Sequence, residues 1–272
     1  MIHYHGTPCG GPRQDVARFL AGRHALIPWP RQEDLGIAAD VCQSFCLDNG
    51  AYSAWVSGHP IIEWGAYYEF CVHWSRHPAF DFAIIPDIID GSEADNDRLI
   101  TTWNATIYQW RIGAPVWHLH ESLDRLDRLV SHWPRVCLGS SGQWASVGTD
   151  SWWHRMSEAM DVACDSAGRP RCKLHGLRML DPEVFSRLPL SSADSTNAVR
   201  NSASVSRYGM YAPPTAAQRM ATIADRTEAH QSAATWRRSS QLELLFSLGT
   251  MPTPHDEPSG RHVEDSNSRN QR

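Results

Sequence analysis

Residues 188–197 read LPLSSADSTN, a short apolar run that ends in a carboxylate flanked by hydroxyl and amide side chains. Asp194 is the first candidate for a reactive group. If the apolar run is a buried strand, Asp194 stands at its carboxyl end, where parallel α/β proteins place their chemistry. Asp194 or Ser195 is also a suitable cap for a following helix, because Ser, Asp and Asn are preferred there. Recurrence of the same pattern along the chain favours the first interpretation.

Seven similar apolar runs precede residue 188, and segments with helical periodicity lie between them. Strands that alternate with helices predict an α/β fold, a (β/α)8 TIM-like barrel over residues 1–210. A C-terminal helical extension packed on the barrel is predicted over residues 211–249. A disordered tail is predicted over residues 250–272, where the apolar content is too low for a core. The predicted strands are residues 2–5, 25–28, 44–47, 80–86, 115–120, 135–139, 171–176 and 188–190.

Helical spacing of apolar residues predicts the intervening helices. Ser92 and Asp95 form a capping-box pattern at the start of one of them. The predicted helices are residues 13–22, 34–40, 61–74, 92–110, 122–133 and 151–163.

The composition suits a globular protein with a single large core, since 42% of the 272 residues are hydrophobic. The seven cysteines are scattered without a CxxC pair, so we expect reduced thiols. No apolar stretch of about 18 residues occurs, which predicts a soluble protein without a membrane partner. The expected location is the cytoplasm, or the host cytoplasm if a phage encodes the chain. The net charge of −5 gives no overall basic field.

Polar residues with catalytic potential stand at the ends of the predicted strands. Because active sites of such barrels are built at the carboxyl ends of the strands, these side chains are expected to face one mouth. Three carboxylates and a glycine-rich loop are among them. The candidates are His3, His5, Asp48, Asp87, His118, His120, Gly139, Ser140, Ser141, Gly142, His175 and Asp194.

Four segments, in this order, resemble the tRNA-guanine transglycosylase superfamily, and within it the 7-deazaguanine DNA-modification branch, the DpdA-like proteins of phages and genomic islands. The resemblance extends over roughly residues 1–210 and rests on the ordered set, because no single motif is diagnostic. The segments are residues 47–53 (LDNGAYS), 85–91 (IPDIIDG), 138–142 (LGSSG) and 193–195 (ADS).

The resemblance implies a pentosyltransferase that exchanges guanine in a polynucleotide for a 7-deazaguanine base, such as 7-cyano-7-deazaguanine, without a cofactor. Asp194 matches the family nucleophile, which forms a covalent intermediate with the sugar. Asp48 matches the general acid/base, and Asp87 matches the carboxylate that reads the purine edge. The loop of Gly139, Ser140, Ser141 and Gly142 would let main-chain amides approach the flat base, because glycine has no side chain.

The chain departs from the family pattern in two places. The glutamine that reads the base after the fifth strand has no match, and His118 or His120 is the candidate substitute. The zinc-binding CxCxxC motif of members that act on tRNA is missing, so we expect no metal, and DNA as the substrate. Arg200 and Arg207 follow the last strand and are candidates for phosphate binding. Family members are commonly dimers, which makes a homodimer possible.

Three alternatives remain open at this point. The histidines and Asp194 could instead hold a divalent metal in a hydrolase of the amidohydrolase kind. A tRNA-guanine transglycosylase would keep the chemistry and change the polynucleotide. A barrel that only binds nucleic acid would need no reactive carboxylate. The metal ligands of the hydrolase would be His3, His5, His118 or His120, His175 and Asp194.

Overall fold

Parallel strands alternate with helices along the chain in the computed structural model, which describes residues 1–108, 110–208 and 211–237. The side chains of residues 207 and 208 are outside that description. So are the predicted tail at 250–272 and the predicted extension beyond residue 237. The described chain up to Trp236 forms one compact unit.

Nine parallel strands form a nearly closed barrel in the order β5-β4-β3-β2-β1-β9-β8-β7-β6. Only Pro115 separates β5 from β6, and the two pair with different neighbours, β5 with β4 and β6 with β7. They occupy the place of one strand in the barrel, of which the prediction at residues 115–120 covers β6 and not β5, and the (β/α)8 prediction is confirmed. The strands are β1 (Ile2–Gly6), β2 (His24–Pro28), β3 (Ser44–Asp48), β4 (Phe80–Ile84), β5 (Gly113–Ala114), β6 (Val116–His118), β7 (Arg135–Gly139), β8 (Lys173–Gly176) and β9 (Ser192–Ser195).

Helices cover the outer face of the barrel, and the predicted capping box at Ser92 is confirmed. The Ser92 hydroxyl accepts a hydrogen bond from the Asp95 N–H, and the Asp95 carboxylate accepts one from the Ser92 N–H. The helices are α1 (Arg13–Leu20), α2 (Leu35–Val41), α3 (Ala51–Val56), α4 (Gly65–Trp74), α5 (Glu93–Thr106), α6 (Leu123–His132), α7 (Asp150–Ala163), α8 (Pro182–Phe185), α9 (Asn197–Arg200) and α10 (Ala216–Glu228).

Several predicted boundaries are wrong, and the helix predicted over residues 92–110, for example, ends at Thr106. The last strand is β9 and not residues 188–190, because Leu188 and Leu190 belong to the core that precedes it. The strand itself is polar, since its inward-facing residues line the mouth of the barrel. Helix α4 begins at Gly65 and not at residue 61, and Ile62, which extended the apolar pattern, is 84% exposed.

Alternation along the strands divides the core in two. The larger apolar cluster lies between strands and helices, and a smaller one fills the barrel. Since successive side chains of a strand point to opposite faces, Tyr4 points inward while its neighbours His3 and His5 point outward. The smaller cluster consists of Tyr4, Leu26, Cys46, Phe82, Ile84, Ala114, Val116 and Cys137.

Helix α10 packs against α1 and anchors the described part of the predicted extension. Its carboxylates bind Arg23, with distances of 2.5 Å to Asp225 and 3.2 Å to Glu228. No helix in the described chain combines the length and apolar character needed to cross a membrane.

Candidate active site

A cleft of about 710 Å³ opens at the carboxyl ends of the strands. That volume is within the range of pockets that hold small molecules and cofactors. Most of the predicted site residues line this cleft, although they are far apart in sequence. These residues are Asp48, Asp87, His118, Gly139, Ser140, Ser141, Asp194 and Arg200.

Asp194 lies near the carboxyl end of β9 and is 6% exposed. Its Oδ1 accepts a hydrogen bond of 3.0 Å from the main-chain N–H of Arg178. Asp194 is not the cap of the following helix α9, because the N-cap position is Thr196 and the Asn197 N–H at the helix start donates to the Ser195 hydroxyl. Asp194 is therefore held toward the cleft by the main chain of the neighbouring β8 segment.

His175 lies below Asp194 inside the barrel and is completely buried. Its Nδ1 is 2.9 Å from the Ser192 hydroxyl, and its Nε2 is 3.4 Å from Asp194 Oδ1 without a hydrogen-bond geometry. The ring also meets Tyr4 and Phe82 edge-on. His175 thus forms the floor under Asp194.

Asp48 ends β3 and lines the same cleft. The residue keeps some exposure to the cleft, but protein atoms surround its carboxyl group. This burial raises the pKa of Asp48 to about 7, and the negative charges of Asp194 and Asp87 act in the same direction. A carboxyl group with a pKa near neutrality can both donate and accept a proton under ordinary conditions.

Asp87 is held from two sides. Its Oδ1 accepts a hydrogen bond of 2.8 Å from the side-chain amide of Asn49, and its Oδ2 is 2.9 Å from His118 Nε2. Asn49 also donates to the Ile85 carbonyl and accepts from the Ala51 N–H, which fixes its amide. The Asp87 carboxylate consequently has a defined orientation and retains accepting capacity toward the cleft.

The loop after β7 differs in part from the prediction. Gly139 is required by His118, since a Cβ at position 139 would lie 2.9 Å from His118 Nδ1. Ser140 accepts a hydrogen bond from Trp152, and Ser141 is buried at the cleft wall. Gly142 begins a short 3-10 helix and does not line the cleft, so its predicted part in base binding is not supported.

His118 and His120, the two histidines predicted to read the base, differ in their position relative to the cleft. His118 lines the cleft, but its Nε2 already contacts Asp87. His120 is exposed, stacks on His118 with the ring centres 5.5 Å apart, and does not line the cleft. Direct contact of His120 with a base in the cleft is therefore not supported.

The metal-ligand set of the hydrolase alternative is not brought together. His3 Nε2 lies 3.1 Å from the carbonyl of His230, and His5 Nε2 lies 2.7 Å from Glu228. Both histidines thus face α10 on the outside of the barrel, because of the alternation along β1. Over the described residues, no three or more His, Cys, Asp or Glu side chains are grouped as ligands for a metal ion.

Sequence reasoning missed Asn49, Tyr52 and Arg178. Asn49 and Tyr52 lie within the segment LDNGAYS, so their proximity to Asp48 was the available signal. Arg178 follows β8 in a loop without a recognisable motif. Of the two predicted phosphate contacts, Arg200 is exposed and lines the cleft, whereas the side chain of Arg207 lies outside the described part of the chain.

Comparisons of the chain with models of known protein families, with curated proteins and with solved structures found no significant match.

Proposed function

We propose that the protein is a base-exchange transglycosylase that replaces guanine in a polynucleotide, in the first place DNA, with a 7-deazaguanine base. The observation that carries the proposal is the pairing of Asp48 and Asp194 in one cleft. Burial and the charge of Asp194 bring the pKa of Asp48 near 7, while Asp194 accepts a hydrogen bond from the main-chain N–H of Arg178. Two carboxyl groups in unlike environments suit an acid/base and a nucleophile.

In the first step the Asp194 carboxylate attacks the anomeric carbon of the target sugar. Its close contacts with the described residues involve Oδ1, so Oδ2 is the oxygen left to form the bond. The bond from the sugar to guanine breaks, and the departing base receives its proton from Asp48. The products of this step are a covalent sugar–Asp194 ester, free guanine and a charged Asp48.

In the second step the incoming deazaguanine occupies the position that guanine has left. The Asp48 carboxylate accepts the N–H proton of the base, and the base nitrogen attacks the anomeric carbon. The ester bond to Asp194 breaks, which restores both carboxyl groups to their starting states. Two displacements at the same carbon retain its configuration, as in retaining glycosidases.

Asp87 is the proposed reader of the base. A guanine edge presents N–H donors, and an ionised carboxylate only accepts hydrogen bonds. Because Asn49 and His118 hold the Asp87 carboxylate in place, it can accept hydrogen bonds from the N–H groups of the base without rearrangement. Deazaguanine bases keep this edge, so one reader serves both the leaving and the incoming base.

The depth of the cleft implies that the target nucleotide leaves its stack. Asp87 and Asp194 are 7% and 6% exposed, so a base within a duplex is out of their reach. Enzymes that act on single bases solve this by extruding the nucleotide, at a cost of a few kcal/mol that is smallest for unpaired bases. We therefore expect single-stranded substrates to react faster than duplexes.

The test is incorporation of labelled base into polymer. Purified protein is incubated with guanine-containing DNA or with tRNA, together with labelled guanine or labelled 7-cyano-7-deazaguanine. Wild type is compared with Asp194→Ala and with Asp124→Asn, a matched loss of an exposed carboxylate that does not line the cleft. Label in DNA with wild type and Asp124→Asn, but not with Asp194→Ala, supports the proposal.

Label that enters tRNA and not DNA would keep the chemistry and change the polynucleotide. Absence of label from both polymers with every variant would contradict the proposed function.

A further inference from the structure

Arg178 has the most unusual main chain in the cleft. It is the one residue other than glycine in the described chain with a positive φ, at 60°. This left-handed conformation is unfavourable for residues other than Gly, Asn and Asp. Here it turns the N–H of Arg178 toward Asp194 Oδ1, at 3.0 Å.

The side chain of the same residue reaches across the cleft wall. Its guanidinium carbon lies 3.9 Å from the centre of the Tyr52 ring, and one of its N–H groups donates to the Ser140 carbonyl. Tyr52 belongs to α3 after β3, and Ser140 follows β7. Arg178 thus joins segments from three different strands at the mouth, next to the nucleophile.

The charge of Arg178 has no carboxylate partner in the described chain. Of the arginines that line the cleft, Arg31 is paired with Glu33 at 2.8 Å. No carboxylate of the described residues lies within ion-pair distance of Arg178 or Arg200. A guanidinium fork held on an aromatic ring at the entrance of a cleft is suited to bind a phosphate group.

In a polynucleotide, the sugar that Asp194 attacks is flanked by phosphates. A residue whose main chain contacts Asp194 is consequently near one of them when the sugar is in place. We propose that the guanidinium of Arg178 binds a phosphate next to the target sugar, while its main-chain N–H positions Asp194. This inference rests on the proposed function for the identity of the sugar being attacked.

The test of phosphate binding is the salt dependence of DNA affinity, which does not require turnover. A fluorescent single-stranded DNA oligonucleotide is titrated with wild type, Arg178→Gln, Arg178→Lys and Arg187→Gln at several salt concentrations. Arg187 is a matched control, since its guanidinium also lies over an aromatic ring, Trp153 at 5.3 Å, but outside the cleft.

Loss of one phosphate contact lowers the slope of log Kd against log salt by about 0.7 for single strands. We expect this change for Arg178→Gln, and wild-type slopes for Arg178→Lys and Arg187→Gln. Equal slopes for wild type and a folded Arg178→Gln variant would overturn the inference. Arg178→Gln could have the reduced slope while wild type exchanges no base. That result would support the phosphate contact and refute the proposed function. Wild type that binds neither DNA nor tRNA would refute both, and if wild type binds only tRNA, the same slopes are compared with labelled tRNA.

The variants Arg178→Gly and Arg178→Val test whether the main-chain N–H of residue 178 positions Asp194. Glycine adopts the left-handed conformation freely and keeps the N–H, whereas a β-branched residue does not tolerate it. Arg178→Gly should therefore raise KM for DNA with kcat within about threefold of wild type, while Arg178→Val should lower kcat as well. A kcat that falls equally in both variants would contradict main-chain positioning of Asp194.

Discussion

Both ends of the barrel interior contain acids that are partly or fully buried, but the acids have opposite surroundings. At the amino end, Asp81 binds both terminal nitrogens of Arg135, at 2.9 and 3.1 Å, and accepts a hydrogen bond from Tyr4. At the carboxyl end, Asp48, Asp87 and Asp194 share one cleft, and none is ion-paired to an arginine or lysine of the described chain.

The pKa values respond in opposite directions. Burial by itself would raise the pKa of Asp81, but the charge and hydrogen bonds of Arg135 lower it below its usual value. Burial also raises the pKa of Asp48, and there the neighbouring carboxylates add to the increase. The neighbouring charge, and not burial alone, therefore decides in which direction the pKa of an acid in this barrel moves.

The largest expected effect is that of Asp194→Asn, which removes the nucleophile and keeps the shape of the side chain. We expect base exchange to fall by at least about 10³-fold, as for other catalytic nucleophiles. Thermal unfolding should change little, because the amide still accepts the Arg178 hydrogen bond. Exchange assays and melting curves of the same preparation check both parts. Retention of more than a tenth of the activity would argue against Asp194 as nucleophile.

Asp48→Asn should lower the rate of exchange by about 10²- to 10⁴-fold, the usual contribution of a general acid/base. In wild type, the release of guanine needs the protonated form of Asp48. Its single-turnover rate should therefore be constant below pH 7 and fall about tenfold per pH unit above it. Rates measured from pH 5 to 9 check the profile. A flat profile in wild type would contradict the role of Asp48.

Arg135→Met breaks the ion pair at the amino end and leaves Asp81 without its partner. Removal of one partner of a buried pair typically costs about 3 kcal/mol of unfolding free energy. Activity per folded molecule should stay near that of wild type, since the cleft is at the other end. Denaturant unfolding and active-site titration measure the two quantities. The double variant Arg135→Met with Asp81→Leu should recover part of the stability.

Gly139→Ala tests the orientation of Asp87 indirectly. The added methyl group would lie 2.9 Å from His118 Nδ1 and 3.2 Å from Val116, so His118 must shift away from Asp87. Weakening one charge-assisted hydrogen bond corresponds to about a tenfold loss of exchange. The loss should appear mainly in KM for the base. Unchanged kinetics would show that His118 does not hold the base reader in place.

The last prediction concerns the pH dependence of stability at Asp48. Its folded pKa lies above the value of an unfolded chain, so the folded state binds the proton more tightly. Wild type therefore loses stability, relative to Asp48→Asn, as the pH rises from about 4 to about 7. A rise of the pKa from about 4 to about 7 corresponds to about 4 kcal/mol of unfolding free energy. The variant should therefore melt roughly 8–16 °C higher than wild type at pH 8 and show no such gain at pH 4. A gain independent of pH would contradict the raised pKa.

The fold was largely predictable because most of the barrel strands are short apolar runs and helices such as α1 and α6 have a regular apolar face. The strand containing Asp194 was predicted four residues too early, since β9 consists of Ser, Ala and Asp and follows the apolar run at residues 188–190. Helix α3 was missed, as its exposed Val56 gives no amphipathic pattern.

The carboxylates of the site were predictable from their positions at strand ends, where the fold itself brings them together. The outward direction of His3 and His5 followed from strand alternation, but only once the register was known. The part of Arg178 was not predictable, because it depends on a left-handed main-chain conformation that the surrounding sequence does not signal.

The central claim is that Asp194 becomes covalently attached to the target sugar. The direct measurement is to mix wild type with a guanine-containing DNA oligonucleotide, quench with denaturant, and locate any protein–DNA adduct by peptide mass spectrometry. We predict an adduct on the peptide that contains Asp194, its absence in Asp194→Asn, and its release when 7-cyano-7-deazaguanine is added before the quench. An adduct on Asp48 or Asp87, or base exchange that persists in Asp194→Asn, would contradict the account.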